Sequence, residues 1–411
     1  MSALAPREWE QRLLFQAIQP SSPKAPVRIA YVTETYPPEL NGVALTVERT
    51  IRHLRTRGHQ VELIRPRQRG EAPRDAPDEL LTMSCPIPMY SELRMGLACA
   101  GTLRRRFEQT QPQLVHVATE GPLGWAALRA AQALNLPVSS DFRTNFHEYS
   151  RYYGLGWLSP VVYDCLRRFH RQTQLTFVPT SAVRESLDAA GFGRVAVVGR
   201  GVDTALFDPA KRSEALRAQW GAGDAPVLLY VGRLAAEKNV ALALCAFEAV
   251  RFHVPSARMV VVGDGPARRR LEADFPSVHF AGVQRGEALA QHYASADLFL
   301  FPSLSDTFGN VTLEALASAL PVVAFDAAAA ADHVDDCGNG LLVPAGDEQA
   351  YVAAVCSLAW QHGELAAMRE QARGAALRLQ WTDVLSRLEA HLADTVLVHA
   401  SRVAEGAACA A

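Results

Sequence analysis

Uninterrupted apolar runs of about 18 residues, the length a membrane-spanning helix needs, are missing from this 411-residue sequence, so no segment reads as a span. A disulfide framework is missing too. The seven cysteines (Cys85, Cys99, Cys165, Cys245, Cys337, Cys356 and Cys409) are odd in number, scattered and without a C-x-x-C pair, which fits a reducing compartment. Neither sign of charge is in excess. A formal net charge of -2, with 20% charged and 49% hydrophobic residues, describes an ordinary globular chain and excludes bulk attraction to nucleic acid. Arg7, Glu8, Glu10 and Arg12 precede any long apolar stretch, so the start does not read as a secretory signal. The expected location is cytoplasmic, extending to peripheral contact with the inner face of the plasma membrane.

Chemical signatures are absent as well. There is no G-x4-G-K-S/T loop, no H-E-x-x-H and no zinc-spaced set of Cys and His. No two aspartates are spaced D-x-D, which removes a common metal-diphosphate clamp, so neither a metal nor a cofactor is expected. Val260 to Pro266 carries Gly263-Asp264-Gly265 but lacks the third glycine of a dinucleotide loop and lies in mid-chain, which weakens a nicotinamide-cofactor reading.

What is present is a repeated alternation of short apolar runs with helix-periodic segments. Val27 to Val32 is followed by a turn-rich loop and then by Val43, Val47, Ile51 and Leu54, which fall on one helix face. The alternation continues to Leu175 to Val178, lapses between Gly199 and Asp224, and restarts at Val227 to Val231. Strands alternating with helices predict parallel sheets covered on both faces. The expected fold is therefore α/β, two tandem Rossmann-like domains facing across a cleft. The boundaries read as a loosely ordered leader 1–26, a first domain 27–202, a second domain 203–376 and a C-terminal segment 377–411 whose helix crosses back to the first domain.

The strongest chemical signal is Ser305 to Ala317, placed just after an apolar strand. Gly309 permits close backbone approach, and the N–H groups of Asn310, Val311 and Thr312 at a helix start form an anion site suited to a diphosphate. Glu314, one turn further in, is placed to accept two hydrogen bonds from a ribose diol. The second signal is Gly232 to Asn239, where Arg233 and Lys238 stand five residues apart at a strand end and converge on the same diphosphate. Alone, that spacing is usually surface charge. Across the cleft, Gly42 opens the first helix and brings a backbone N–H toward a phosphate. His116 reads as a strand residue pointing away from the site.

These motifs together resemble the family-four retaining glycosyltransferases of the GT-B fold. The match is close in the second half, at Gly232 to Asn239, Gly263 to Pro266 and Phe308 to Ala315, and looser at Tyr36 to Val43 and Arg200 to Asp203. Within that family the chain is most similar to bacterial GDP-mannose-dependent α-mannosyltransferases acting on lipids, through His116 to Gly124 and Phe142 to His147. The resemblance implies donor-binding roles for Gly42, Gly232, Gly265, Asp306, Gly309, Asn310, Val311 and Glu314, catalytic roles for Arg233 and Lys238, and acceptor-side roles for Glu120, Arg143, Asn145 and His147. Asp306 and Glu314 stand where the family carries an E-x7-E pair, so the first carboxylate is one methylene shorter.

The implied partners are a nucleotide-diphosphate sugar and a lipid or glycan acceptor. Basic runs at Arg65 to Arg69, Arg104 to Arg106 and Arg167-Arg168 suggest contact with anionic membrane. The alternatives are UDP-sugar-dependent glucosyl, glucuronosyl or sulfoquinovosyl transfer to a lipid, a sugar-nucleotide 2-epimerase, and a silent nucleotide-sugar-binding module.

Overall fold

A computed structural model describes residues 26–39, 42–87, 90–143, 159–303, 306, 308–360 and 362–410. The alternation predicted from the sequence forms two doubly wound sheets. In strand β1 (Arg28–Val32), Ile29 and Tyr31 join one core with Val47, Ile51 and Leu54, whereas Ala30 and Val32 join another with Phe107 and Leu128. A continuous apolar strand is what burial on both faces requires. β1 pairs in parallel with β2 (Gln60–Pro66) and with β6 (Leu114–Val117).

With β3 (Asp75–Ala76), β4 (Glu79–Ile87), β5 (Tyr90–Leu97), β7 (Val138–Asp141), β8 (Leu175–Val178) and β9 (Val195–Val197), the first sheet has the order β3-β4-β2-β1-β6-β7-β8-β9, β5 pairing with β4. The β3 and β5 pairings are antiparallel. The second sheet begins with β10 (Val227–Val231), whose five residues are all buried, and continues through β11 (Arg258–Val262), β12 (His279–Gly282), β13 (Leu298–Phe301), β14 (Val322–Phe325) and β15 (Gly340–Val343). Its order is β12-β11-β10-β13-β14-β15, all parallel. Chain order reverses beside β1 in the first sheet and beside β10 in the second, which puts the ligand-binding crevices beyond Val32 and Val231.

The chain passes between the sheets twice, and the two passages touch. Val202 bridges to Gln380, and its N–H donates to the Leu379 carbonyl at 2.9 Å. Gly201 makes this contact possible, since a Cβ there would lie 2.5 Å from the backbone N and Cα of Trp381. Gly201→Ala is therefore expected to destabilise the fold by about 1–3 kcal/mol, the usual cost of overpacking, read as a lowered thermal midpoint. An unchanged midpoint would show that the crossing has slack.

After the second passage the helix Trp381–Ala410 packs on the first sheet through Val384, Leu385, Leu388 and Leu392. Its Glu389 accepts from Arg57 and lies 3.1 Å from His53 and 3.2 Å from His59. His59 Nδ1 already accepts from the Val27 N–H, so its Nε2 is the nitrogen that donates to Glu389.

Candidate active site

A cavity of about 830 Å³ opens between the carboxyl ends of the two sheets. The first half contributes Gly42, Glu120 and Arg143 to its walls, and the second half Gly232, Arg233, Lys238, Asp306, Gly309, Asn310 and Val311. Ten of the residues picked out by sequence thus meet in one place. Gly265 and Glu314 do not line it. Asn145 and His147 lie outside the described residues.

The helix Asn310–Ala317 starts at Gly309, whose φ of 89° lies in the left-handed region that glycine adopts without a Cβ penalty. The Thr312 N–H turns back to the Gly309 carbonyl at 3.1 Å, so the amides at the helix mouth are those of Asn310 and Val311, one fewer than the sequence suggested. Arg233 is exposed on the loop after β10. That loop is held by Tyr230, whose hydroxyl donates to the Arg233 carbonyl at 3.2 Å, and by the Leu234 N–H, which donates to the Asp264 carbonyl at 2.9 Å. Gly265 packs directly on the Leu234 carbonyl, where a Cβ would collide. The Gly263-Asp264-Gly265 turn therefore acts here as a brace for the Arg233 loop.

Lys238 closes a single 3-10 turn, Ala236–Lys238, and its Nζ lies 2.6 Å from Asp306 Oδ1. The shorter carboxylate reaches its neighbour. Asp306 Oδ2 is buried without a hydrogen-bond partner among the described residues. Glu314 sits deeper in the helix, where Oε2 accepts from the buried Tyr293 hydroxyl at 3.0 Å. Burial pushes its carboxyl up to about 7, against the opposing pull of Tyr293 and of Arg49 from the first half.

On the wall formed by the first half, Glu120 Oε1 lies 3.3 Å from Nε2 of the fully buried His170, whose Nδ1 meets Ser140 Oγ at 2.9 Å. Arg143 Nε donates to Asp141 Oδ2 at 2.6 Å, and His116 Nε2 lies 3.4 Å from the same oxygen. Burial alone would raise the Asp141 carboxyl, but Arg143 and His116 hold it down at about 2. His116 is wholly buried in β6, facing this network through Ser139 and Asp141.

Of the lining residues that the sequence analysis did not name as site members, Glu34 and Arg200 stand out. Glu34 follows β1, and its carboxylate accepts the backbone N–H groups of Gly96 and Leu123, tying β5 to the start of the helix Pro122–Ala133. Burial pushes it up to about 7. Its position just beyond the carboxyl end of β1 was the available signal. Arg200 stands beside the Gly201 crossing and is 9% exposed. Only the fold reveals that its side chain enters the cleft.

Two doubly wound sheets with a cation-lined cleft between their carboxyl ends define the GT-B class of glycosyltransferase fold. The sucrose-phosphate synthase of Thermosynechococcus elongatus shares it, with a TM-score of 0.69 and 17% identity over 88% of this chain and 97% of that one. Residues 40–206 match the family described as Glycosyltransferase Family 4, and residues 225–360 match Glycosyl transferases group 1. Over 375 residues the chain is 35% identical to a GDP-mannose-dependent alpha-mannosyltransferase of Mycobacterium tuberculosis, covering 89% of this chain and 96% of that protein. It is also 31% identical to a sulfoquinovosyl transferase of Arabidopsis thaliana, over 79% of this chain and 64% of that protein. The chain belongs to the family-four glycosyltransferases.

Proposed function

We propose that this protein moves mannose from GDP-mannose to a lipid or glycan acceptor, retaining the anomeric configuration and needing no metal. The observation that carries the donor assignment is the 35% identity along nearly the whole chain with a protein named for GDP-mannose. The cleft supports the chemistry. A diphosphate at the Gly309 helix mouth meets the Asn310 and Val311 amides, with Arg233 and Lys238 on the same wall.

Retention with a same-face attack needs the leaving diphosphate oxygen beside the acceptor hydroxyl, so that this oxygen takes the proton. Arg233 and Lys238 then offset the charge growing on the diphosphate, by about 3 kcal/mol each when fully desolvated. Glu314 binds the ribose diol, Gly42 approaches the phosphates from the first half, and Glu120 and Arg143 face the acceptor.

The sulfoquinovosyl relative supports the alternative of UDP-sugar transfer to a lipid. Among the described residues no helix is long and apolar enough to cross a membrane. Several arginines of the basic runs are already paired, Arg65 with Glu71 and Glu79, and Arg106 with Glu62 and Asp75. Peripheral contact with anionic lipid from the cytoplasmic side would therefore fall to exposed residues such as Arg69 and Arg105.

Thermal stabilisation by GDP-mannose and UDP-glucose in parallel, followed by transfer assays with EDTA, tests this function. A ligand that binds only the folded state raises the midpoint. GDP-mannose is expected to give the larger rise, and EDTA to leave turnover largely intact. A preference for UDP-glucose would move the donor assignment to the alternative. Activity lost to EDTA and restored by Mg²⁺ would overturn the metal-free mechanism. Turnover of donor without acceptor would indicate an epimerase, and stabilisation without transfer a silent binding module.

A further inference from the structure

Among the described residues Arg200 is a buried cation with no ion-pair partner of its own. Its Nη1 donates to the side-chain carbonyl of Asn310 at 3.2 Å, and its guanidinium lies 5.7 Å from the centre of the Phe308 ring. Its Nε has no partner among the described residues. The carboxylates that act on it, Asp141 and Asp306, are already taken by Arg143 and Lys238. Taking an unpaired charge out of water is expensive, and the expense is recovered when a ligand supplies the opposite charge.

The surroundings add to the positive potential. Arg200 lies beside Asn310, at the start of the helix Asn310–Ala317. From the opposite wall comes Gly42, the first residue of the helix Gly42–Thr56, where a Cβ would stand 3.0 Å from Arg200 Nη1. Two helix N-termini, each carrying the positive end of a dipole, therefore converge on one guanidinium. Burial lowers the proton affinity of Arg200, and Arg143, a further cation of the same cavity, adds to the effect, leaving it at about 10 and so still charged near neutrality.

We propose that Arg200 is a donor-binding residue, seating the diphosphate of the nucleotide sugar from the junction of the two halves. Resting on the donor assignment above, this extends the diphosphate clamp from the wall formed by Arg233 and Lys238 to the crossing segment. A guanidinium offers a forked contact to phosphate oxygens that an ammonium does not. The cleft then grips the diphosphate from both sheets, through Gly42 and Arg200 on one side and Asn310, Arg233 and Lys238 on the other.

Arg200→Met and Arg200→Lys, compared with the unaltered protein, test this through thermal midpoints in the presence of GDP and of guanosine, with kinetics for donor and acceptor. The unaltered protein is expected to gain clearly more from GDP than from guanosine. In Arg200→Met the unliganded midpoint should stay level or rise, the extra gain from the diphosphate should largely vanish, and the donor KM should rise about tenfold, the scale of losing one charge-assisted contact. Arg200→Lys should fall between the two.

A diphosphate gain undiminished in both variants overturns the proposal, whether or not the unliganded midpoint falls. So does a raised acceptor KM with donor binding intact, which would assign the guanidinium to an anionic group on the acceptor. If the unaltered protein gains no more from GDP or UDP than from the nucleosides, the donor assignment itself fails, an outcome distinct from failure at Arg200 alone.

Discussion

Lys238→Ala is expected to lower kcat by about a hundredfold while changing the donor KM only a few-fold, the scale on which a single preorganised charge acts in a transition state. The diphosphate gains charge as the glycosidic bond breaks, so a cation at its oxygens stabilises the transition state more than the bound donor. Lys238 is held by Asp306 at 2.6 Å, which fixes Nζ at the cavity wall. Removing the lysine also strands Asp306, half-buried and with Oδ2 already unpartnered among the described residues, so a modest loss of stability should accompany the kinetic defect. Adding Asp306→Asn to Lys238→Ala should restore the stability and not kcat. Steady-state kinetics with thermal midpoints separate the two effects. A folded variant with near-normal kcat and a raised KM would reduce Lys238 to a binding residue, and one normal in both would remove it from the site.

Donor affinity should climb as pH rises through about 7, and Glu314→Gln should flatten that climb while weakening binding at pH 8. The carboxyl of Glu314 stands at about 7 in the folded protein because burial disfavours its charge. Below that pH it is a neutral acid with reduced capacity to accept from a diol. Above it, a carboxylate accepts both hydroxyls. The sign for stability is the reverse. A carboxyl raised above its unfolded value of 4.5 contributes stability that is fully present below that value and is lost as pH rises through about 7.

Glu314→Gln should therefore gain stability relative to the unaltered protein at pH 8 and not at pH 4. Glu34, also raised to about 7 by burial, keeps part of the pH dependence in the variant. Isothermal titration with GDP-mannose, whose doubly esterified diphosphate does not titrate in this range, measures the affinity profile across pH 5 to 9. If the step near 7 persists undiminished in Glu314→Gln, another group sets it, and Glu314 is an ordinary half-buried helix residue.

Much of the second half was legible residue by residue. The apolar strand expected just before Ser305 is Leu298–Phe301, and the helix after Gly309 begins at Asn310. The first half was harder to read. The hairpin of β4 and β5 has no clean alternation, since Glu79–Ile87 carries Pro86 and Tyr90–Leu97 mixes charged and apolar residues. Its place at the sheet edge is set by pairing, with Glu34 reaching from the end of β1 to the Gly96 N–H. Such a long-range contact leaves no periodic trace in the chain.

What the sequence determined by itself was the class of fold and the list of groups able to meet a diphosphate, because both rest on local chemistry. Apolar strands alternate with helix faces, a glycine precedes a helix start, and two cations follow a strand. Which of those groups share one cavity was decided by the tertiary structure. It set Gly265 against the Leu234 carbonyl, paired Lys238 with Asp306, and carried Arg200 into the cleft because Gly201 lets the chain's two crossings touch. Each of these depends on residues many positions apart in the chain, and only packing brings them within reach.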